Sequence, residues 1–314
     1  MKKSINKFLT KELIINLLII AAFAIISLTY FYPLLSGKQI KQSDIDQFAG
    51  MSKQIVDHRE KYDEEPFWLD NAFLGMPSYQ VLVKYPFDFL DKVDKIIRFL
   101  PRPADYLFVY LVSFFLLLLS MKVKSEYAFF GAIAFAFSTY LIIILGVGHN
   151  TKALAIGYAP LIFAGLFKIL DNKYLQGFII ASIGLGLQIN ANHYQMTYYF
   201  LMLVGLITVV YIINDITKKD IKSGFRKLAI VFSTVLFGIL LNASSILATQ
   251  EYTDFSTRGK SEISINPDGT EKENLGGLSN DYITEYSYGK LESFNLIVPR
   301  FMGGGSSDLI DKDS

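Results

Sequence analysis

Residues 105–170 read DYLFVYLVSFFLLLLSMKVKSEYAFFGAIAFAFSTYLIIILGVGHNTKALAIGYAPLIFAGLFKIL. Three apolar runs, near 105–121, 127–147 and 154–170, are separated by the lysine-bearing turn MKVK and the polar turn GVGHNTK. At 1.5 Å per residue, runs of this length approach the ~30 Å hydrocarbon thickness of a bilayer. The pattern continues outward in both directions. A run near 13–34 precedes the stretch, and runs near 175–190, 197–213 and 228–249 follow it. The sequence therefore predicts an all-α polytopic membrane protein with about seven transmembrane helices. Gly and Pro interrupt several runs, which membrane helices tolerate where neighbours satisfy the freed backbone groups.

The chain of 314 residues is 52% apolar, an ordinary fraction, so its distribution carries the inference rather than its average. A net charge of +1 offers no basic field for nucleic acid, and the absence of Cys excludes disulfides and thiolate chemistry. Lys2, Lys3, Lys7 and Lys11 precede the first run as in a signal peptide. That run is too long for one and lacks a small-x-small cleavage site, so it reads as a retained span.

Lysine and arginine placement sets the orientation. With a cytoplasmic amino terminus, the inner turns carry Lys122 and Lys124, then Lys168 and Lys173, then Lys218, Lys219, Lys222, Arg226 and Lys227. The two short outer turns carry only Lys152. The long segments 36–104 and 250–314 then fall on the exoplasmic side of a transmembrane core spanning 1–249. The first holds two amphipathic stretches. Ile45, Phe48, Met51, Ile55 and Val56 recur at helical spacing between Asp44 and Lys61. Between Pro86 and Pro101, Phe89, Leu90, Val93, Ile96, Ile97 and Leu100 oppose Asp91, Lys92, Asp94, Lys95 and Arg98, a pattern expected to lie in the membrane interface. The polar segment 250–314 ends at DLIDKDS without a closing element and reads as the start of a further region of a longer protein.

The spans lack ionisable residues at their middles, which argues against a proton-coupled transporter. Polar side chains gather at the outer ends instead, in four constellations. Ser43-Asp44-Ile45-Asp46-Gln47 offers two carboxylates as a base or metal ligands, or else N-caps the amphipathic helix through Ser43 or Asp44. GVGHNTK supplies His149, Asn150 and Lys152. NANHYQMTYY supplies Asn192, His193, Tyr194, Gln195, Tyr198 and Tyr199. For each His the bland reading is interfacial packing. A metal site from Asp44, Asp46, His149 and His193 has no local ligand spacing to support it, so a divalent metal stays open and no other cofactor is implied. Where the seventh run exits stand Thr249, Gln250, Glu251, Arg258 and Lys260. Lys152, Arg258 and Lys260 suit a phosphate at headgroup level, or else snorkel to lipid.

The stretches SDIDQFAGM, FWLDNAFLGMPSYQ, GVGHNTKALAIGYAPLIFAG and INANHYQMTYYF resemble the bacterial YfhO family of membrane proteins, over nearly the whole chain. That family is similar to the GT-C class of glycosyltransferases. The resemblance implies a bacterial cytoplasmic-membrane enzyme that moves a sugar from a polyprenyl-phosphate donor to a cell-surface glycopolymer or glycolipid. It implies Asp44 or Asp46 as general base. His149, Asn150, Lys152 and Arg258 would face the donor phosphate. Trp68, Asn192, His193, Tyr194, Gln195, Gln250 and Glu251 would face the sugar or acceptor. The competing expectation is a non-enzymatic transporter, flippase or assembly scaffold for lipid-linked sugars.

Overall fold

The computed structural model describes residues 11–86 and 88–256, together with 259, 265, 268–270, 278–285, 287, 289–298 and 301–302. It divides into two compact units, Met1–Ile246 and Leu247–Ser314.

The first unit is helical almost throughout. Helix α1 (Lys11–Tyr30) stops short of the expected 34 because Pro33 cannot continue it, and a 3-10 turn, Tyr32–Ser36, closes on Gly37 in the left-handed region. Helix α2 (Ser43–Tyr62) follows, then a two-stranded antiparallel hairpin of β1 (Trp68–Leu69) and β2 (Met76–Pro77), and helix α3 (Phe89–Ile97). The bundle then continues as α4 (Ala104–Ser120), α5 (Ser125–Ala136), α6 (Thr139–Val147), α7 (Asn150–Leu170), α8 (Tyr174–Asn190), α9 (Tyr194–Thr217) and α10 (Ile221–Leu240). Helix α11 (Ala243–Thr253) carries the chain out of this unit.

Among the described residues, α1, α7, α9 and α10 are long and apolar enough to cross a membrane, and α4 is a shorter apolar helix. The third expected run is not one straight helix. It breaks between Ala136 and Thr139, where Ser138 takes an extended backbone conformation, and α5 and α6 meet at 48°. The seventh expected run is likewise divided, α10 ending at Leu240 and α11 beginning at Ala243. The protein is thus an all-α, multi-pass membrane protein.

Short turns fold the bundle helices back on one another. Lys122, Asn172 and Lys219 adopt positive φ just past a helix end, and in each case the next residue's N–H donates back to the last turn. Val123 bonds Leu118, Lys173 bonds Lys168, and Asp220 bonds Asp215, so otherwise orphaned helix carbonyls are satisfied.

Inside lipid there is no hydrophobic force between helices, so close approach must come from small residues. The contact of α7 with α8 shows this most sharply. A Cβ at Gly165 would lie 2.6 Å from the Gly177 carbonyl oxygen, and one at Gly184 would lie 2.8 Å from Leu161 Cβ. Gly157 makes room in α7 for Tyr110 of α4, and Gly238 makes room in α10 for Leu185 of α8. Helix α1 packs on α4 and α5 through Phe23, which is fully buried between Phe115 and Phe129. Leu203, Leu206, Val210 and Ile213 of α9 remain exposed, as a lipid-facing surface requires.

In the second unit, α12 (Asn280–Thr284) is capped by Ser279, whose hydroxyl accepts from Tyr282 N–H at 3.2 Å. A 3-10 turn, Glu292–Leu296, completes its described regular structure.

Candidate functional site at one end of the bundle

The GVGHNTK turn forms because Gly148 takes φ +94°, ending α6, while His149 N–H donates to the Ile144 carbonyl and the chain restarts as α7 at Asn150. Glycine is required there twice over. The backbone lies in the left-handed region, and an added Cβ would sit 3.0 Å from Gln42 Cβ and 3.5 Å from Asp44 Cβ. The first turn of α2 therefore rests directly on this turn, and Gln42 donates its side-chain N–H to the Leu145 carbonyl.

This contact joins the first two constellations. Asp44 Oδ2 lies 3.2 Å from His149 Nε2, with both side chains about half exposed at 45% and 46%. The N-cap position of α2 falls on Gln42 rather than on Ser43 or Asp44. Gln42 makes no side-chain cap there, and the Asp44 carboxylate lies beside His149. Asp46 is exposed and makes no side-chain hydrogen bond among the described residues, so the two carboxylates are not equivalent.

Beside the pair opens a cavity of about 380 Å³, lined by Lys38, Gln39, Gln42, Ile45, Arg102 and Asn150 among others. Asn150 Oδ1 is buried without a hydrogen-bond partner among the described residues, although a buried amide oxygen ordinarily has one. Lys38 and Arg102 thus place two cations on one space, a chemistry suited to a ligand bearing a phosphate.

The NANHYQMTYY turn belongs to the same end. Burial first, and then the nearby Lys152 charge with a smaller contribution from His149, hold the His193 imidazole below its ordinary pKa. Asn192 occupies the positive-φ position that closes α8, a conformation Asn tolerates well, so its backbone role is structural. Tyr194 OH lies 3.3 Å from Ser245 Oγ, and Gln195 donates to Tyr199 OH at 2.8 Å along α9.

The remaining expected members fall on other elements or outside the described residues. Trp68 sits on the hairpin, half exposed, its ring filling the space a side chain at Gly75 would need. That hairpin docks on α2 at Gln54, which accepts from Asp70 N–H at 2.9 Å. Gln54 lies ten residues along α2 from Asp44, about 15 Å at 1.5 Å per residue, so Trp68 is not brought to the Asp44–His149 pair. Gln250 and Glu251 are exposed on α11 in the second unit. Arg258 and Lys260 lie outside the described residues. Among the described residues no group of three or more His, Cys, Asp or Glu side chains is placed to hold a metal ion, so the four-ligand set of Asp44, Asp46, His149 and His193 does not assemble.

A cluster the sequence reading placed wrongly lies close by. Asp94 and Arg98, expected on the charged face of α3 opposite its apolar residues, point inward. Arg98 pairs with Asp94 and, at 2.8 Å, with Asp105 of α4, and Tyr158 of α7 donates to Asp94 Oδ1. Meanwhile Phe89 and Ile96 of the supposed apolar face are exposed. The reason is tertiary: Asp105 at the start of α4 supplies a second carboxylate, and together the four groups satisfy one another out of water. Burial alone would lower the Arg98 pKa, but the Asp94 hydrogen bond and the two carboxylates raise it above the ordinary value.

Comparison with protein-family models, with curated proteins and with solved structures finds no match to this chain.

Proposed function

We propose that this protein is a membrane glycosyltransferase of GT-C type, moving a sugar from a polyprenyl-phosphate donor to a cell-envelope acceptor. The reading includes seven membrane crossings, a cytoplasmic amino terminus in a bacterial cytoplasmic membrane, and an active site on the exoplasmic face. The observation that carries it is the pairing of Asp44 with His149, whose chain neighbours Ile45 and Asn150 line the cavity bordered by Lys38 and Arg102.

In this mechanism the Asp44 carboxylate takes the proton from an acceptor hydroxyl as that oxygen attacks the anomeric carbon. The bond from the anomeric carbon to the donor phosphate breaks, and its electron pair leaves on the phosphate. His149 meets Asp44 at Oδ2 and orients the carboxylate toward the acceptor. Lys38, Lys152 and Arg102 favour the charge that grows on the leaving phosphate, and such preorganised groups are commonly worth about 3–4 kcal/mol each in a transition state.

The buried cluster of Asp94, Arg98 and Asp105 bears on the transporter alternative, because buried charge can mark an ion path. Its members are paired with one another and with Tyr158, which favours a structural clamp fastening α3 to α4 and α7.

The test is transfer of radiolabelled sugar from a panel of polyprenyl-phosphate sugars in vesicles containing the full-length protein. Transfer from at least one donor, abolished by Asp44→Asn at equal protein level, is the expected result. Donor movement across the bilayer without bond cleavage would replace the enzyme with a flippase.

A further inference from the structure

The opposite end of the bundle, away from Asp44 and His149, carries a second candidate site. Between Asp215 and Lys227 the chain holds five cations against two carboxylates. Both carboxylates are engaged. Asp215 Oδ2 lies 2.7 Å from Lys227 Nζ in a buried pair, and Asp220 caps α10 by accepting from Ser223 N–H at 3.1 Å. Lys222 and Arg226 are exposed, and an i,i+4 spacing puts their like charges on one helix face, where they repel each other. Neither forms an ion pair among the described residues. Arg226 lies over the Tyr174 ring, 5.7 Å from its centroid, which holds the guanidinium at the bundle surface.

These cations stand on an open face of α10, interleaved with Ile221, Phe225 and Ala229. Lysines at such a turn would be sufficient to set membrane orientation, but orientation does not require two cations on one helix face, unpaired among the described residues, directly above an apolar track. Along that track, Ile221, Phe225, Leu228, Phe232 and Leu236 follow one another at spacings of three and four residues, all exposed. They form a stripe about 22 Å long at 1.5 Å per residue, comparable to an extended acyl chain. The other face of the helix, with Gly224, Val231 and Gly238, is buried against the bundle.

We propose that this face of α10 binds the phosphate of an anionic phospholipid, with Lys222 and Arg226 clasping the headgroup and one acyl chain lying along the α10 stripe. The shared chemistry is a phosphate ester. The lipid is the source because the cations open onto an apolar track rather than into a closed polar pocket. Each cation at an anionic headgroup is worth about fivefold in affinity, so two give a preference of roughly 25-fold over a zwitterionic lipid.

The test is native mass spectrometry of the full chain released from micelles containing equal phosphatidylglycerol and phosphatidylcholine. Wild type is expected to retain phosphatidylglycerol selectively, and Lys222→Gln with Arg226→Gln is expected to lose that selectivity. Lys53→Gln with Lys95→Gln, at the other end, should leave it intact. Both Lys222 and Arg226 are exposed, so the fold should survive, and Lys222→Arg with Arg226→Lys should restore selectivity. Equal retention of the two lipids by wild type, or undiminished selectivity in the glutamine variant, overturns the proposal. Displacement of the lipid by millimolar glycerol phosphate also overturns it, because the headgroup alone would then be the ligand.

Discussion

Replacing Arg98 by Met tests the clamp that holds α3 on the bundle. The guanidinium bridges Asp94 and Asp105, whose side chains are only 10% and 2% exposed, and Tyr158 already occupies one oxygen of Asp94. Met fills similar volume but leaves two carboxylates buried within one network without their cation. Removing one partner of a buried ion pair costs about 3–5 kcal/mol, chiefly because the remaining charge stays desolvated. For a unit of this size each kcal/mol is worth about 2–4 °C, so a fall of roughly 6–20 °C in melting temperature is expected. Far-UV circular dichroism in detergent at a fixed scan rate measures it. Combining Arg98→Met with Asp94→Leu, Asp105→Leu and Tyr158→Phe should recover most of the loss, since an apolar replacement of the whole network leaves nothing unpaired. A shift under about 2 °C for Arg98→Met alone would refute the clamp.

Gly165→Ala forces its new methyl against the backbone of α8 and should destabilise the protein by about 1–3 kcal/mol, whereas Gly205→Ala meets open space and should be neutral or stabilising; detergent melting separates the two. Gly148→Ala should lower transfer activity at least tenfold with a smaller effect on melting, because its Cβ must displace Gln42 and Asp44; an unchanged rate would show that their alignment does not matter. The depressed His193 pKa means the unfolded chain binds a proton more readily than the folded one. Its stabilising contribution is complete above about pH 6.5 and declines as pH falls through the lower folded value, so His193→Gln should flatten melting temperature against pH below about 6.5.

How far these features could be read from sequence depends on the range of the interaction that makes them. The apolar runs from 105 to 213 were legible because each bundle helix is fixed by its own composition. The amphipathic helix expected from Asp44 to Lys61 appears as α2 over Ser43–Tyr62 for the same local reason. The break at Phe137–Ser138 was not legible, since Ser and Thr occur in straight membrane helices too. Amphipathic patterning misplaced Asp94 and Arg98 because it assumes that charges face water, whereas Asp105 on the next helix offered them a buried partner. The site was legible as a set of polar residues at one end of the bundle. That Asp44 rather than Asp46 meets His149 is a contact between residues more than a hundred positions apart, decided by how α2 lands on Gly148. Lys38 and Arg102 carried no motif and gained meaning only as walls of the cavity.

The central claim, that Asp44 is the general base of a sugar transfer, is tested most directly by single-turnover transfer from a polyprenyl-phosphate sugar with Asp44→Asn and Asp46→Asn in the full-length protein. Both side chains stand in the first turn of α2, so the two variants perturb the helix alike and differ in which carboxylate they neutralise. Asp44→Asn should lose at least a hundredfold in rate with donor binding retained, and Asp46→Asn should stay within a fewfold of wild type. Equal rates in both variants, or a loss confined to Asp46→Asn, would contradict it.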